Sequence, residues 1–409
     1  RRTRITERPN VSQSLWTIIK NNIGKDITKI SMPVNFSEPL SFLQRLTEDL
    51  EYSVCLDRAV TCDDPWERMA WVAAFTISSY STTVSRLCYK PFNPLLGETF
   101  ECDRVSEMGW RSLAEQVSHH PPVVAMHAQS RDWIMWQEFS MSCKFRGKYI
   151  EVVPLGELRI AHLKIDKYQD LYTWRKVSTT IHNVIVGYLW VENHGEMEIL
   201  NHHNGGKCVI NYLPYSYFSN GPLRRVTGVV YDNLGKAKFI LSGTWSDKVE
   251  GAAVTNNNIT DTNKVLFETD RPKLLWQCNK PHPDLSKCYN FTEFAITLNE
   301  MEAGVAPTDS RRRPDQRLME DARWEDANRV KVKLEEKQRA ARRQLEIEAT
   351  NQSQTLTNSD KPAYQPKWFK KEKDVTNEGQ MHVYNGEYWA CKSTSDWSRC
   401  PDIYTIHED

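Results

Sequence analysis

The feature that most constrains the fold is a long stretch, from about residue 97 to residue 277, in which short apolar runs alternate with turn-forming runs. The apolar runs are rich in β-branched and aromatic residues, which favour strands. Successive strands joined by short turns predict an antiparallel meander, and hence a barrel or a sandwich. The predicted strands include residues 181–190, 208–212, 226–231 and 239–241, and the predicted turns include residues 145–147, 192–195, 203–206 and 232–235.

Two more segments of this stretch carry specific predictions. Residues 133–143 alternate over much of their length, which places odd-numbered apolar side chains on one face and Glu138, Ser140 and Ser142 on the other. Residues 251–263, with many Asn, Thr and Asp, indicate a polar loop. No strand–helix–strand alternation, Walker A motif or G-x-G-x-x-G motif is visible, which argues against a doubly wound nucleotide-binding fold.

Helical patterns precede the predicted strands. Four leucines between residues 40 and 50 recur at helical spacing, which turns Glu48, Asp49 and Glu51 towards solvent. A second helix is expected to begin at Asp64, a good N-cap residue that is followed by Pro at the first helical position. Glu67 would complete a capping box with it.

The last hundred residues differ again. Residues 325–348 are dense in charge and contain neither Pro nor Gly, which predicts a long exposed helix. Residues 349–362 are polar and indicate a linker. The tail beyond them is rich in Trp, Tyr and Phe, so we expect it to pack back on the body of the protein.

Composition excludes several classes of protein. The 53 basic and 53 acidic side chains cancel, so no broad basic field for nucleic acid is expected. No uncharged apolar run reaches the length of a membrane-spanning helix, and no secretory signal opens the chain. The ten cysteines include no C-x-x-C pair, so no zinc or redox motif is indicated. The first residue is not Met, which suggests that further segments precede this chain.

The segment with the clearest chemistry is EQVSHHPP at residues 115–122. Pro121 biases the backbone of His120 towards an extended conformation, so two neighbouring imidazoles are held on a stiff support. Imidazole N–H groups suit an anion. A structural loop with two surface histidines, an anion site, and a metal or catalytic site are the three alternatives. The metal alternative lacks a ligand spacing, and a Ser118–His119 nucleophile pair lacks a G-x-S-x-G elbow.

Two other segments could bear on the same site. Residues 90–98, KPFNPLLGE, place Lys90 and Asn93 in a loop stiffened by two prolines. On the charged helix, Lys331, Glu335 and Arg339 are four residues apart and therefore share one face. Each pattern also fits a simple solvated surface, so neither is decisive alone.

Together these motifs resemble the oxysterol-binding protein family. EQVSHHPP is similar to the family signature, and KPFNPLLGE, PTDSRRRPDQR at residues 307–317 and LEEKQR at residues 334–339 are similar to its other ordered motifs. The resemblance implies a mainly β fold with flanking helices: a large incomplete antiparallel β-barrel with a hydrophobic tunnel, an N-terminal lid and a C-terminal helical subdomain. It divides one lipid-transfer domain into a lid and entry segment (1–38), a helical segment (39–96), the barrel core (97–300) and the C-terminal subdomain (301–409).

The resemblance also implies the ligands and the residues that meet them. The ligands would be a sterol and phosphatidylinositol 4-phosphate, exchanged between membranes through one tunnel, with no catalytic residue, metal or other cofactor. The residues implied for the phosphorylated headgroup are Lys90, Asn93, His119, His120, Lys331, Glu335 and Arg339. The residues implied for the lid that covers the ligand are Leu15, Trp16, Ile18, Ile19, Gly24, Lys25, Asp26 and Ile27.

The expected partners are membrane lipids, met by peripheral contact, and not nucleic acid. In a longer protein, upstream segments would reach an endoplasmic-reticulum receptor and a Golgi or endosomal membrane. The expected location is therefore the cytoplasmic side of membrane contact sites. Two alternatives remain: a hydrolase that uses His119, His120 and Glu115, and a phosphoinositide-dependent tether that never extracts a lipid.

Overall fold

The computed structural model describes residues 1–8, 20, 32–86, 89–156, 160–186, 188–215, 222–259, 265–352 and 364–406. The helices are α1 Phe42–Thr47, α2 Val54–Thr61, α3 Pro65–Ser78, α4 Val105–Met108, α5 Glu293–Thr297, α6 Pro314–Glu320, α7 Trp324–Gln352 and α8 Tyr388–Thr394. The strands outside the main sheet are β1 Ser37–Ser41, β2 Lys90–Phe92, β19 Phe369–Lys373 and β20 Gln380–Tyr384. The strands of the main sheet are β3 Thr99–Arg104, β4 Trp110–His119, β5 Pro122–Ser130, β6 Trp133–Phe139, β7 Met141–Phe145, β8 Ile150–Pro154, β9 Ala161–Ile165, β10 Asp170–Trp174, β11 Ser178–His182, β12 Trp190–Asn201, β13 Lys207–Tyr212, β14 Arg225–Tyr231, β15 Ala237–Thr244, β16 Lys248–Ile259, β17 Val265–Thr269 and β18 Lys273–Gln277.

The main sheet is an open antiparallel barrel. Its strand order is β17-β16-β15-β14-β13-β12-β10-β9-β6-β5-β4-β3, with β18 beside β16 and with β7, β8 and β11 forming a branch that rejoins β12. Its two end strands, β3 and β17, do not pair with each other in the described part of the sheet. This confirms the predicted incomplete antiparallel barrel.

Several local predictions for the strands are wrong. Residues 183–186, 188 and 189 are not the middle of a strand but lie between β11 and β12, whereas residues 192–195 lie inside β12 and are not a turn. The polar residues 251–259 belong to β16, where ladder bonds to β15, β17 and β18 hold them. The strand expected over residues 133–143 breaks between β6 and β7, and its predicted polar face, Glu138, Ser140 and Ser142, is buried. Glu138 meets His382 from the tail, which explains why this polar face is covered.

Most helices pack against the barrel in one apolar core, whereas α8 packs through Tyr388 in a second cluster with Trp368 and Phe369. Asp64 is the N-cap of α3, because its carboxylate accepts hydrogen bonds from the backbone N–H groups of Trp66 and Glu67. The Glu67 side chain accepts instead from the indole of Trp71, so the capping bond to Asp64 is one-sided in the described contacts.

The acidic residues after α1 are buried, contrary to the prediction that they face solvent. Glu48 pairs with Arg86, and Asp49 accepts from Lys176 at 2.6 Å. Glu51 accepts hydrogen bonds from Asn279 and Thr292, which are far along the chain. The leucine spacing correctly predicts the apolar face of this segment. The acidic residues on its opposite face are also buried, because partners that are distant in sequence form ion pairs and hydrogen bonds with them.

The most buried of these ion pairs centres on Arg86. Its side chain is fully buried and donates to both oxygens of Glu38, at 3.0 Å from Nε and 2.6 Å from Nη2, and also to Glu48. A cation in this position keeps two buried carboxylates compensated.

We therefore expect Arg86→Met to lower the free energy of unfolding by about 3–5 kcal/mol, because Glu38 and Glu48 lose their buried cation. Urea unfolding followed by circular dichroism measures the change. Arg131→Met is the control, since Arg131 is 90% exposed and pairs with Asp132 on the surface. It should change stability by less than about 1 kcal/mol. Equal small losses from both variants would contradict the role of the Arg86 cluster.

Candidate functional site

A cleft of about 1840 Å³ opens at one rim of the barrel. Four separate parts of the chain supply most of its lining: residues 90–96, residues 117–122, one face of α7 between residues 331 and 342, and the tail between residues 364 and 403; Met32 and Ser37 complete it. All seven residues that the family resemblance implies for the headgroup line this cleft, although they come from three segments far apart in sequence. We call it the cationic cleft, and its end of the barrel the histidine rim.

The histidine pair lies in the turn between β4 and β5. His119 is the last residue of β4 and pairs with Pro122, so the strand ladder holds both sides of the turn. The Ser118 hydroxyl donates to the carbonyl oxygen of Pro121 at 2.7 Å and tightens it further. The two imidazole rings are 4.8 Å apart and nearly perpendicular, at 82°. Two differently oriented ring edges are thus fixed on one rigid turn.

Gln338 of α7 sets the hydrogen bonding of His119. The backbone N–H of Leu96 donates to Gln338 Oε1 at 2.8 Å, which leaves the Gln338 amide nitrogen to face His119 Nε2 at 2.7 Å. Because an amide nitrogen only donates, His119 Nε2 is the acceptor and the ring proton is on Nδ1. One side chain therefore joins the loop of residues 90–96, the histidine turn and α7.

The same surroundings keep His119 uncharged. Burial, followed by the neighbouring His120 and Arg342, lowers the pKa of His119 to about 4. A neutral ring with one proton donor is the state that the bond from Gln338 requires. His119 is thus a neutral hydrogen-bond partner at physiological pH, and the lysines and arginines supply the positive charge of the cleft.

A buried ion pair holds the loop that carries Lys90 and Asn93. Arg313 donates from Nη1 to the carbonyl oxygen of Asn93 at 2.8 Å and to Glu98 Oε2 at 3.0 Å. Glu98 also accepts from the backbone N–H of Leu95. The Asn93 loop is therefore fastened to the start of α6 and has little freedom to move away from the cleft.

The predicted face of α7 is present. Lys331 Nζ is 2.6 Å from Glu335 Oε1, and Arg339 Nη1 is 4.0 Å from the other oxygen of the same carboxylate. Glu335 therefore orients two cations towards the cleft. Lys331 is nearly buried, whereas Arg339 is exposed.

The cleft is strongly positive although the chain is neutral. Nine Lys and Arg side chains line it against three carboxylates. The predicted set contains only three of the nine: of the others, Lys337 lies inside the LEEKQR motif without a predicted role, and the rest lie beyond that motif on α7 or on the tail. The six additional cations are Lys337, Arg342, Lys367, Lys370, Lys371 and Arg399.

Glu115 anchors the tail that supplies this second wall. Its carboxylate accepts hydrogen bonds from the Tyr364 hydroxyl and from the backbone N–H groups of Lys367 and Trp368, at 2.9–3.0 Å. Burial raises the pKa of Glu115 to about 7 against these hydrogen bonds. Glu115 does not line the cleft, so the tail and not the histidine pair is its partner.

Other predictions for the site have different outcomes. The lid residues Leu15, Trp16, Ile18, Ile19, Gly24, Lys25, Asp26 and Ile27 lie outside the described residues. Within the part of the chain that the structure describes, no group of three or more His, Cys, Asp or Glu is placed to hold a metal ion. The described helices include none that is both long and apolar enough to cross a membrane.

An open antiparallel barrel with flanking helices and a cleft at its rim defines the class of protein: it has the fold of the lipid-binding domains of the oxysterol-binding proteins. The chain belongs to this family, since the family model "Oxysterol-binding protein" matches residues 14–393.

Relatives and solved structures agree. Oxysterol-binding protein 2 of Mus musculus is 49% identical over 99% of this chain, and oxysterol-binding protein homolog 2 of Saccharomyces cerevisiae is 37% identical over 97% of it. The chain spans 44% and 31% of their lengths. The Osh1 ORD domain in complex with cholesterol superposes with a TM-score of 0.85, 34% identity and coverage of 98% of this chain and 94% of that one. The Saccharomyces cerevisiae Osh3 ORD in complex with PI(4)P superposes with a TM-score of 0.77, 31% identity and coverage of 99% of both chains.

The low pKa of His119 predicts a pH dependence of stability. In the unfolded chain this ring gains its proton near pH 6.5 and in the folded chain only near pH 4, so stability falls as pH decreases between these values. His119→Asn removes this contribution. Between pH 7 and pH 4.5, the wild type should lose about 2 kcal/mol more than the variant in urea unfolding. Parallel pH profiles of the two proteins would contradict the low pKa.

The contact from Gln338 predicts an effect on the His119 tautomer. Gln338→Glu keeps an acceptor for Leu96 N–H but places a carboxylate at His119 Nε2, so the pKa of His119 should rise by at least about one unit. Histidine ¹⁵N chemical shifts measure both the tautomer and the titration. Gln365→Glu is the control, since it adds the same charge to another wall of the cleft. An equal rise in both variants would show that general charge, and not the direct contact, is responsible.

Proposed function

We propose that this chain binds phosphatidylinositol 4-phosphate and a sterol alternately and exchanges them between membranes. The phosphorylated headgroup would occupy the cationic cleft, and the acyl chains or the sterol would occupy the barrel interior. The observation that carries the proposal is the convergence of all seven predicted headgroup residues in one positively charged cleft. The proposal is supported by relatives whose solved complexes contain cholesterol in one case and PI(4)P in another.

The headgroup part rests on charge and geometry. A phosphomonoester carries nearly two negative charges and three acceptor oxygens, and lysine, arginine and imidazole N–H groups are its usual partners. Lys90, Lys331 and Arg339 would supply charge, whereas Asn93 and the neutral ring of His119 would supply directed hydrogen bonds. Because the loop, the turn and the helix are already joined through Gln338 and Arg313, little ordering is needed on binding.

The exchange part rests on mutual exclusion. A sterol is almost wholly apolar, and burying several hundred Å² of its surface yields on the order of 10 kcal/mol before the cost of association. If the acyl chains of the phosphoinositide need the same space, each ligand displaces the other. A tenfold gradient of one lipid then supplies about 1.4 kcal/mol to move the other. The expected lid would close over either ligand and open at a membrane.

The remaining proposals concern the longer relatives. Since this chain spans less than half of their length, contacts with an endoplasmic-reticulum receptor and with Golgi or endosomal membranes would come from other segments. The lipid-binding part would act peripherally at cytoplasmic membrane contact sites. No cofactor is required for this activity.

The hydrolase alternative is weakened by the position of Glu115. Both of its carboxylate oxygens accept hydrogen bonds from residues 364–368, and it does not line the cleft with His119 and His120. A general base must reach the proton that it removes. We therefore propose a binding protein without catalysis; release of phosphate from labelled phosphoinositide would contradict this.

The test is extraction of each lipid from liposomes by His119→Ala/His120→Ala. We expect loss of at least tenfold in phosphatidylinositol 4-phosphate extraction, because two directed contacts are removed, with sterol extraction retained. His202→Ala/His203→Ala is the matched control, since it removes another adjacent pair, exposed in the turn between β12 and β13. Equal loss of both lipids would refute the headgroup assignment. Absence of lipid from protein recovered after the membranes are removed would favour a tether.

A further inference from the structure

The branch of the main sheet projects beyond the histidine rim. Val124 of β5 pairs with Phe139 at the end of β6, close to the His119 turn, and β7 continues from there. β7 pairs with β8, β8 with β11, and β11 with the first half of β12. Five residues of β7 extend about 16 Å along the strand. The loops at the far end of this branch therefore lie on the same side of the barrel as the cationic cleft, and further out.

These loops expose apolar and aromatic side chains together. Val186 is 80% exposed and Tyr188 is 94% exposed in the connection between β11 and β12. Beside them, His182 stacks on Trp190 at 3.9 Å, and Trp190 meets Tyr215 edge-on at 6.2 Å. We call residues 146–149, 182–186, 188–190, 213–215 and 222–225 the branch tip. Monomeric soluble proteins rarely expose such a cluster of apolar side chains unless it binds a partner or a membrane.

The charges of the branch tip are positive. Its segments contain Arg146, Lys148, Arg224 and Arg225 and no acidic residue. Two carboxylates that adjoin it are engaged by its own groups: Glu151 pairs with Arg146, and Glu192 accepts from the backbone N–H of Tyr215. The interface of an anionic bilayer is bound by a combination of three features: aromatic rings that are polar at one edge, apolar side chains, and surrounding cations.

We propose that the branch tip is a membrane-docking surface that inserts Val186 and Tyr188 into a bilayer containing anionic lipids. A membrane is the occupant that complements the positive charge of the branch tip. The choice also rests on the proposed function, because the branch tip lies on the same side of the barrel as the cationic cleft, whose proposed ligand is a membrane lipid. The surface includes none of the residues predicted for the lid and needs neither phosphoinositide nor sterol. It brings the cationic cleft to the membrane before any lipid is extracted.

The test is flotation with vesicles of phosphatidylcholine and phosphatidylserine that contain no phosphoinositide or sterol. Val186→Ser/Tyr188→Ser should reduce the vesicle partition coefficient about tenfold, because two inserted side chains lose their apolar contact. Leu234→Ser should leave it unchanged. Leu234 is 88% exposed, but it lies in the turn between β14 and β15, at the opposite rim. Tyr188→Trp should retain binding.

The result is independent of the headgroup site. The vesicles contain neither ligand of the proposed exchange, so failure of the headgroup assignment would appear only in lipid extraction. Circular dichroism melting checks that each variant is folded. Wild-type vesicle binding by Val186→Ser/Tyr188→Ser would overturn the proposal, and so would equal loss from Leu234→Ser. A change in oligomeric state, with vesicle binding unaltered, would assign the branch tip to a second copy and also overturn it.

Discussion

The buried ion pair between Glu98 and Arg313 is the constraint on which the site depends. It joins the start of the barrel to the segment that leads into α6 and α7, across 215 residues of sequence. The Ser310 hydroxyl donates to the same carboxylate at 2.6 Å, and Thr99 and Thr308 hydrogen-bond beside it. Arg313 also pairs with Asp315, but Glu98 has no other cation within reach in the described contacts, so its burial requires the two parts of the chain to meet in one register. That register places the charged face of α7 against the histidine turn.

From this junction the remaining contacts follow in order. Arg313 fixes the carbonyl of Asn93, Gln338 fixes Leu96 and His119, and Glu115 fixes the tail. Each contact uses a buried or half-buried polar group whose partner comes from another part of the chain. Such a cleft is preorganised: the cost of assembling positive charge is met during folding and not when an anion arrives.

The sequence predicts the barrel well where strands are short and turn residues flank them, as for β13 and β14. It fails where burial depends on a distant partner. The local sequence predicts that Glu48 and Asp49 face solvent, because their partners Arg86 and Lys176 are distant in sequence. It predicts a loop for residues 251–259, because the strands that pair with them are not apparent from these residues alone.

For the cleft, the family resemblance points to residues that the structure brings together. It assigns no role to Gln338, although this residue lies inside the quoted LEEKQR motif. Nothing in a single sequence marks an amide as the bridge between two other segments. The cations of the tail, such as Lys367 and Lys370, escape prediction for a related reason: their place in the cleft depends on Glu115, which lies 252 residues before Lys367.

The dispersed origin of the cleft has a consequence for synthesis of the chain. The histidine turn is made early, but the helix face that opposes it follows about 210 residues later and the tail wall later still. A nascent chain that stops after the barrel strands contains no complete cleft and leaves Glu98 and Glu115 without their partners. The complete cleft therefore forms only after the tail, up to residue 403, has been made and has left the ribosome, long after the histidine turn.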